Sequence, residues 1–530
     1  MPLMLRPPPD TAGKASPAIL VGFFVAFGGI LFGYDTGTIG GILAMPYWLK
    51  EFSTGYTVNG QPAITSSQSS EIVSLLSAGT FFGSLTAAPT GDYFGRRLGL
   101  MISTLVFTFG VILQTASTDI PLFVAGRFFA GYGVGMISAL IPLYQSETAP
   151  KWIRGTIVGA YQLAITIGLL LASVVDNSTH LRNDTGSYRI PIAVQFAWAI
   201  VLFVGMIFLP ETPRMWIKRD KPEKAGKSLA TLRRLAVDHP AVVEEMSEIQ
   251  ANHEYETSVG QSSYLDCFKG NLGKRLATGC LLQALQQLTG VNFIFYYGTS
   301  FFTHSGRQRR IHPLPGLYMV EAWGRRPLLL FGAAGMAICQ FTVAGVGVGA
   351  GDDNLAAQKA LIAFVCIYIF FFACSWGPAA WVVTGEIFPL KVRAKSLSMT
   401  TASNWLLNWA IAYSTPYLVN SDPGDAKLGS KVFFIWGSFC FVCFFFVWAM
   451  IYETKGLSLE QVDELYAKVP KAWQSVGFIP TVSFQEVKEA QGENHLDARK
   501  ASLVDMENAA MRRHSAGSER AEGSEKAEDV

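Results

Sequence analysis

Eleven stretches of this chain are apolar over about the length a bilayer requires, and no other feature restricts the fold as much. They lie near residues 18–41, 71–91, 98–117, 120–143, 156–174, 190–209, 276–302, 327–349, 357–383, 396–419 and 432–452. A helix needs about twenty predominantly apolar residues to cross the hydrocarbon, and in lipid its backbone must satisfy itself. An all-α, polytopic membrane protein is therefore expected, in contact with a lipid bilayer. Composition agrees: half of the 530 residues are hydrophobic and 15% are charged, far from a soluble profile. A net charge of +2 gives no ground for a nucleic-acid partner. The first apolar run is too long for a signal-peptide core and lacks a small-residue cleavage site, so it is expected to remain as a span. Six of the seven cysteines fall inside apolar runs and Cys267 in a charged loop, which is no extracellular disulfide framework.

The seventh run carries a polar cluster, QALQQLTGVNFIFYYG from Gln283 to Gly298. At about 100° per residue, Gln283, Gln286, Gln287 and Gly290 share one arc of a helix. Three primary amides on one face suit a ligand whose hydroxyls each give and take a hydrogen bond, and a sugar is such a ligand. Asn292 joins them only if the helix loosens near Thr289 and Gly290, as binding helices of transporters do. The competing reading is interhelical adhesion, about 1 kcal/mol for each amide.

Asp35 lies inside the first run, in GGILFGYDTGTIGG, where an unpaired charge costs about 2.5–3.5 kcal/mol. Arg127, in GRFFAGYGVG, is the basic residue placed to neutralise it. A carboxylate whose proton competes with an arginine is a device for proton coupling; a static ion pair or a water-exposed aspartate is the alternative. Arg96 and Arg97 in one loop, and Lys151 and Arg154 in another, place those loops in the cytoplasm by the positive-inside rule. Two glycosylation sequons, at Asn177 and Asn183, then fall on the opposite side. Residues 210–275 are charged, with Leu and Ala spacing that suggests short amphipathic helices.

The second half repeats the first. GDYFGRR, with Asp92, Arg96 and Arg97, is echoed by VEAWGRR, with Glu321, Arg325 and Arg326. Glu147 and Arg154 are echoed at the same spacing by Glu386 and Arg393, and PETP at 210–213 by YETK at 452–455. Three echoes in one order indicate an internal duplication, with a site between the two halves. The acidic and basic residues at these loops can form ion pairs between helix ends that close a cytoplasmic gate in one state and part in another.

These motifs, together with QQLTGVN, PETPR, WGPAAW and YETKG, resemble the sugar porter family of the major facilitator superfamily, in particular its fungal hexose transporters, from about residue 18 to about 460. The resemblance implies the major facilitator fold, two pseudo-symmetric six-helix bundles with nominally twelve spans. It also implies transport of a glucose-like monosaccharide by alternating access, with no cofactor and no covalent chemistry. By position it implies sugar contacts at Gln162, Gln283, Gln286, Gln287, Asn292, Trp381 and Asn408, and makes Asp35 the candidate proton site. The expected organisation is a cytoplasmic tail (1–17), a first bundle (18–209), a cytoplasmic loop (210–275), a second bundle (276–452) and a cytoplasmic, largely disordered tail (453–530). A monomer in the plasma membrane is expected.

The chain departs from the family pattern in three places. Tyr93 stands where a basic residue is usual, and the second proline of GPxPW is missing between Gly377 and Trp381. Between Phe302 and Glu321 an eighth span is required, yet only Ile311 to Val320 is apolar, about ten residues against the twenty needed. Most of that helix is therefore expected to be absent, as from an error in exon joining. Two alternatives to transport remain at this point: a glucose sensor built on a transporter frame, and an inactive product lacking most of helix eight.

Overall fold

The computed structural model describes residues 16–58, 60–150, 154–258, 264–294, 296, 323–350, 354–389, 392–419, 424–455, 457 and 459–478. The eighth-span interval, Glu321 and the tail beyond residue 478 lie outside the described residues.

The first half is built from α1 (Ser16–Ala26), α2 (Gly28–Ile42), α3 (Pro46–Phe52), α4 (Ser66–Tyr93), α5 (Arg96–Ala116), α6 (Ile120–Thr148), α7 (Arg154–Thr179) and α8 (Gly186–Phe208). Three short helices follow, α9 (Pro213–Lys218), α10 (Pro222–Arg233) and α11 (Pro240–Ser258). The second half contains α12 (Gly270–Leu288), α13 (Arg325–Gly349), α14 (Leu355–Cys374), α15 (Trp376–Glu386), α16 (Arg393–Val419) and α17 (Val432–Met450), followed by α18 (Leu459–Lys468). Thr57–Val58 and Gln61–Pro62 pair as a small antiparallel hairpin in the loop after α3.

Nine helices among the described residues are long and apolar enough to span a membrane, counting α1–α2 and α14–α15 as one each. The other two spans read from the sequence are α12 and α16, and both are present as helices. Both are richer in polar residues than the nine, and several of these are buried, among them Gln283, Gln286 and Gln287 on α12 and Asn404 and Asn408 on α16.

Helix starts follow the local chemistry. Thr65 and Gln68 form a reciprocal capping box at α4, with Gln68 N–H donating to Thr65 Oγ1 at 3.3 Å and Thr65 N–H to Gln68 Oε1 at 3.1 Å. Asp119 Oδ1 accepts from Leu122 N–H at 2.9 Å at the start of α6, and Asn354 Oδ1 accepts from Ala356 and Ala357 at the start of α14.

Each half has its own apolar core, and the first-half core also takes in Tyr296 and Ala412 from the second. Within the first half, α4 and α6 approach until backbone meets backbone. A Cβ on Gly79 or Gly83 would strike the Phe128 or Tyr132 carbonyl, and one on Gly131 or Gly135 would strike the Leu76 or Thr80 carbonyl. Small residues four apart on both helices give this packing. Between the halves, α4 and α16 run antiparallel and are bonded at three levels, with a fourth bond from the start of α4 to Asp425 beyond α16. Ser66 Oγ donates to Asp425 Oδ2 at 2.7 Å, Ser70 Oγ to Tyr413 O at 2.7 Å, Ser77 Oγ to Asn408 Oδ1 at 3.1 Å, and Ser398 Oγ to Ser84 O at 3.0 Å.

The described part of the segment after α17 packs against the second half. Val462 and Leu465 of α18 are buried, Tyr466 lies beside Tyr452 with ring centroids 4.4 Å apart, and the Arg275 guanidinium sits 4.4 Å from the Tyr466 ring. Trp473 stacks on Trp448 at 4.7 Å. A short apolar stripe at helical spacing and four aromatic rings hold this stretch against the second half.

Gly131→Val is expected to cost about 1–3 kcal/mol through overpacking against Leu76. Gly345→Ala, at a helical glycine with nothing within 4 Å of its Cβ position, should leave stability unchanged or slightly higher. Fluorescence-monitored melting of the detergent-solubilised protein checks both; equal melting temperatures for the two variants would contradict the packing.

Candidate functional site

In α12 the side chains of Gln283, Gln286 and Gln287 are all buried, and each hydrogen-bonds to another helix of the second half. Gln283 Nε2 donates to Thr384 Oγ1 at 3.3 Å, and Gln286 Nε2 to the Trp376 and Gly377 carbonyls at 2.8 and 3.2 Å. Gln287 Nε2 donates to Asn404 Oδ1 at 2.9 Å. Asn404 in turn donates from Nδ2 to Gln283 Oε1 at 2.7 Å and Gln286 Oε1 at 2.8 Å. Four amides thus close on one another around α16.

The helix does loosen where Asn292 requires it. α12 ends at Leu288, Gly290 has φ +88°, and Asn292 Nδ2 donates to Gln287 Oε1. Asn408, one turn beyond Asn404, is placed at the seam between the halves: its Oδ1 accepts from Ser77 Oγ and, at 3.2 Å, from the Tyr296 hydroxyl. Gln162 on α7 and Trp381 on α15 are half-buried, on two helices that touch across the two halves. Asn404 was missed in the sequence reading. The signal available was a second asparagine one helical turn before Asn408 in a run too polar to face lipid.

Asp35 and Arg127 pair directly. Arg127 Nη1 donates to both Asp35 oxygens at 3.1 Å, Nε donates to Ile72 O at 3.2 Å, and the side chains are 0% and 1% exposed. Thr38, Gln114 and Gln195 line the same small gap.

At the GRR end of the molecule the duplication becomes a repeated clamp. Arg96 pairs with Glu147 at 3.0 Å and with Asp92 at 3.3 Å, and Thr212 Oγ1 donates to Glu147 Oε2 at 2.5 Å. In the second half Arg325 pairs with Glu386 at 2.8 Å, and Thr454 Oγ1 donates to Glu386 Oε2 at 2.6 Å. Glu211 accepts from the Arg96 and Arg97 N–H groups at 3.1 Å each, while Glu453 accepts from those of Arg325 and Arg326 at 3.0 Å each. A carboxylate on the free N–H groups of a helix start is favoured by both hydrogen bonding and dipole. Burial pushes the Glu211 carboxyl above its ordinary value, and donors from Thr212 and Arg97 pull it back.

These pairs join helices within one half; they do not bridge the two. Arg97 donates to the Met206 and Ile207 carbonyls, Arg326 to the Trp448 carbonyl and Arg393 to the Phe388 carbonyl. The side chain of Arg154 lies outside the described residues. The Glu-Thr pairs of PETP and YETK carried the signal for Glu211, Thr212, Glu453 and Thr454. Their roles escaped the sequence because a helix N-terminus more than 100 residues away in the chain is their partner. Asn177 is exposed in the last turn of α7, and Asn183 is exposed in the loop that follows.

Asp35→Ala is expected to destabilise the protein by about 3–5 kcal/mol, because it strands a buried arginine, and Asp35→Ala with Arg127→Leu should recover most of that loss. A double-mutant cycle on thermal unfolding measures the coupling; additive losses would show the pair to be energetically idle.

The chain matches the family model "Sugar (and other) transporter" over residues 21–466. It is 63% identical to the major facilitator-type transporter ecdD of Aspergillus rugulosus, over 93% of this chain and 95% of that one. It is 55% identical to the probable glucose transporter rco-3 of Neurospora crassa, over 91% and 84%. With the high glucose sensor RGT2 of Saccharomyces cerevisiae the identity is 45%, over 86% of this chain and 61% of RGT2. Among solved structures it is similar to the proton:xylose symporter XylE bound to 6-bromo-6-deoxy-D-glucose, at 26% identity and a TM-score of 0.72, covering 86% of this chain and all of that one. The duplicated clamps, the two helix bundles and these matches agree: the chain is a multi-pass membrane protein of the major facilitator fold and belongs to the sugar transporter family.

Proposed function

We propose that the protein moves a hexose across the plasma membrane by alternating access and couples that movement to protons. The observation that carries the reading is the branched cluster of amides formed by Gln283, Gln286 and Gln287 of α12, Asn404 of α16 and Asn292 just beyond the break, all buried and every member bonded to another polar group. Each amide gives and accepts, as a sugar hydroxyl does, so a hexose can replace these mutual bonds one for one. Trp381 would lay its ring against the C–H face of the sugar, and Gln162 would contribute from the first half. Support also comes from the rco-3 relative, described as a probable glucose transporter, and from the bromodeoxyglucose bound in the XylE structure.

The GRR end is the cytoplasmic end in this reading, the sequons face outside, and the working unit is a monomer. Glu147 with Arg96, and Glu386 with Arg325, hold each bundle rigid at its cytoplasmic end, so that the halves rock as bodies about the site. Asp35 is the proton carrier. Protonation removes its hold on Arg127 and changes the charge of a pocket that Thr38, Gln114 and Gln195 keep polar.

Uptake of labelled glucose in cells without hexose transporters tests the reading. Wild type is expected to take up glucose with alkalinisation of the medium. Gln287→Ala should raise KM about tenfold, the loss of about one charge-free hydrogen-bond pair. Asp35→Asn should abolish accumulation against a gradient. Binding of glucose without uptake would instead mark a receptor.

A further inference from the structure

The break in α12 is held by side chains from three other helices. Gly290 is left-handed, with Trp436 against the place its Cβ would occupy, a backbone that glycine alone adopts at no steric cost. The Thr289 N–H reaches Leu285 O at 3.2 Å and the Gly290 N–H reaches Gln287 O at 3.1 Å, a tightened last turn. Carbonyls at a helix end need donors from elsewhere. The Thr289 carbonyl receives the Tyr368 hydroxyl of α14 at 2.9 Å, the Gln340 amide of α13 at 3.3 Å and the Cys440 thiol of α17 at 3.9 Å. Tyr368 and Gln340 are each 1% exposed. The Tyr368 hydroxyl also lies 3.3 Å from Thr289 Oγ1, which donates to Gln286 O at 2.7 Å.

The break changes where Asn292 points. In an unbroken helix Gln287 and Asn292, five residues apart, would diverge by about 140°. Across the break their side chains meet. We propose that Tyr368 and Gln340 are positioning residues for the hexose site: by holding the Thr289 carbonyl they fix the break in α12 that turns Asn292 onto the amide cluster. They set affinity for the sugar without touching it. The proposal rests on the reading of that cluster as the hexose site.

A purely structural role would lower stability and transporter number; a positioning role acts through Asn292. The test is a pair of double-mutant cycles, Tyr368→Phe and Gln340→Leu, each with and without Asn292→Ala. Glucose KM, maximal uptake per surface-exposed transporter and melting temperature are read for every variant. Each single substitution at Tyr368 or Gln340 is expected to raise KM about tenfold, with maximal uptake per transporter changed less than about twofold. On the Asn292→Ala background the same substitutions should add less than about a further twofold. Effects that multiply across the cycle, or a lowered melting temperature with KM intact, would overturn the proposal while leaving hexose transport standing. Absence of hexose uptake by wild type would overturn the underlying reading and this inference with it. Should Tyr368→Phe fail to reach the membrane, the Gln340→Leu cycle decides alone.

Discussion

The Asn404 amide donates to Gln283 and Gln286 and accepts from Gln287, and the second half is arranged around that three-way contact. In hydrocarbon a carboxamide has no water to turn to, and an unpaired one costs several kcal/mol. The four residues therefore hold α12 and α16 at one separation and one rotation. Gln286 extends the constraint to α15 through the Trp376 and Gly377 carbonyls. Trp376 carries it on to α13, its indole N–H donating to Leu329 O at 3.0 Å. A chain of obligatory hydrogen bonds thus fixes four helices relative to one another, while apolar packing fills the space between them.

The same logic acts on charge at the GRR end. Glu211 and Glu453 each cap the helix that begins at a GRR arginine, and the neighbouring threonine turns to the glutamate that pairs with that arginine. The two clamps match in their arginine, their two glutamates and their threonine, although they were assembled from segments of different length. What duplication kept is a set of partners, since a buried arginine whose carboxylate has gone is far costlier than the intact pair is favourable. Each clamp stays within its own half, and among the described residues the contacts named between α4 and the α16 side of the second half are serine hydroxyl bonds, one of them to the Asp425 carboxylate. The Ser70, Ser77 and Ser398 hydroxyls that join α4 to α16 contribute about 0.6 kcal/mol each on average, and two bodies so joined can part and re-form.

Nine of the spans were legible in the sequence because length and hydropathy decide them; α12 and α16 are more polar and were read from apolar runs that the helices only partly follow. So was the pairing of Asp35 with Arg127, since each was the other's sole means of neutralisation in its neighbourhood. The break at Gly290 could be anticipated from Asn292, which lay off the arc of its neighbours. Asn404 was not legible, because periodicity in α12 says nothing about which turn of α16 faces it. Nor were Glu211 and Glu453: charged residues after a span read as orientation signals until the helix start that they cap is seen beside them. The packing of Tyr466 and Trp473 was hidden by the polar residues around them.

A cluster of amides bonded to one another through Asn404 bears on how tightly it can hold a ligand. The hydroxyls of an incoming hexose do not fill unsatisfied positions; they exchange with bonds such as Asn404 to Gln283 and Gln287 to Asn404. Each exchange breaks about as much as it makes, so the net gain for each polar contact is a small part of the intrinsic bond, about 1 kcal/mol. Fixing the ligand consumes part of even that. Tight binding would need a site whose partners waited unpaired, and such a site in lipid would be unstable when empty. The mutually bonded cluster avoids that cost in the empty state and limits affinity in the loaded one. A carrier has to release what it binds on the far side, so a stable empty site and a readily released ligand follow from the same hydrogen bonds.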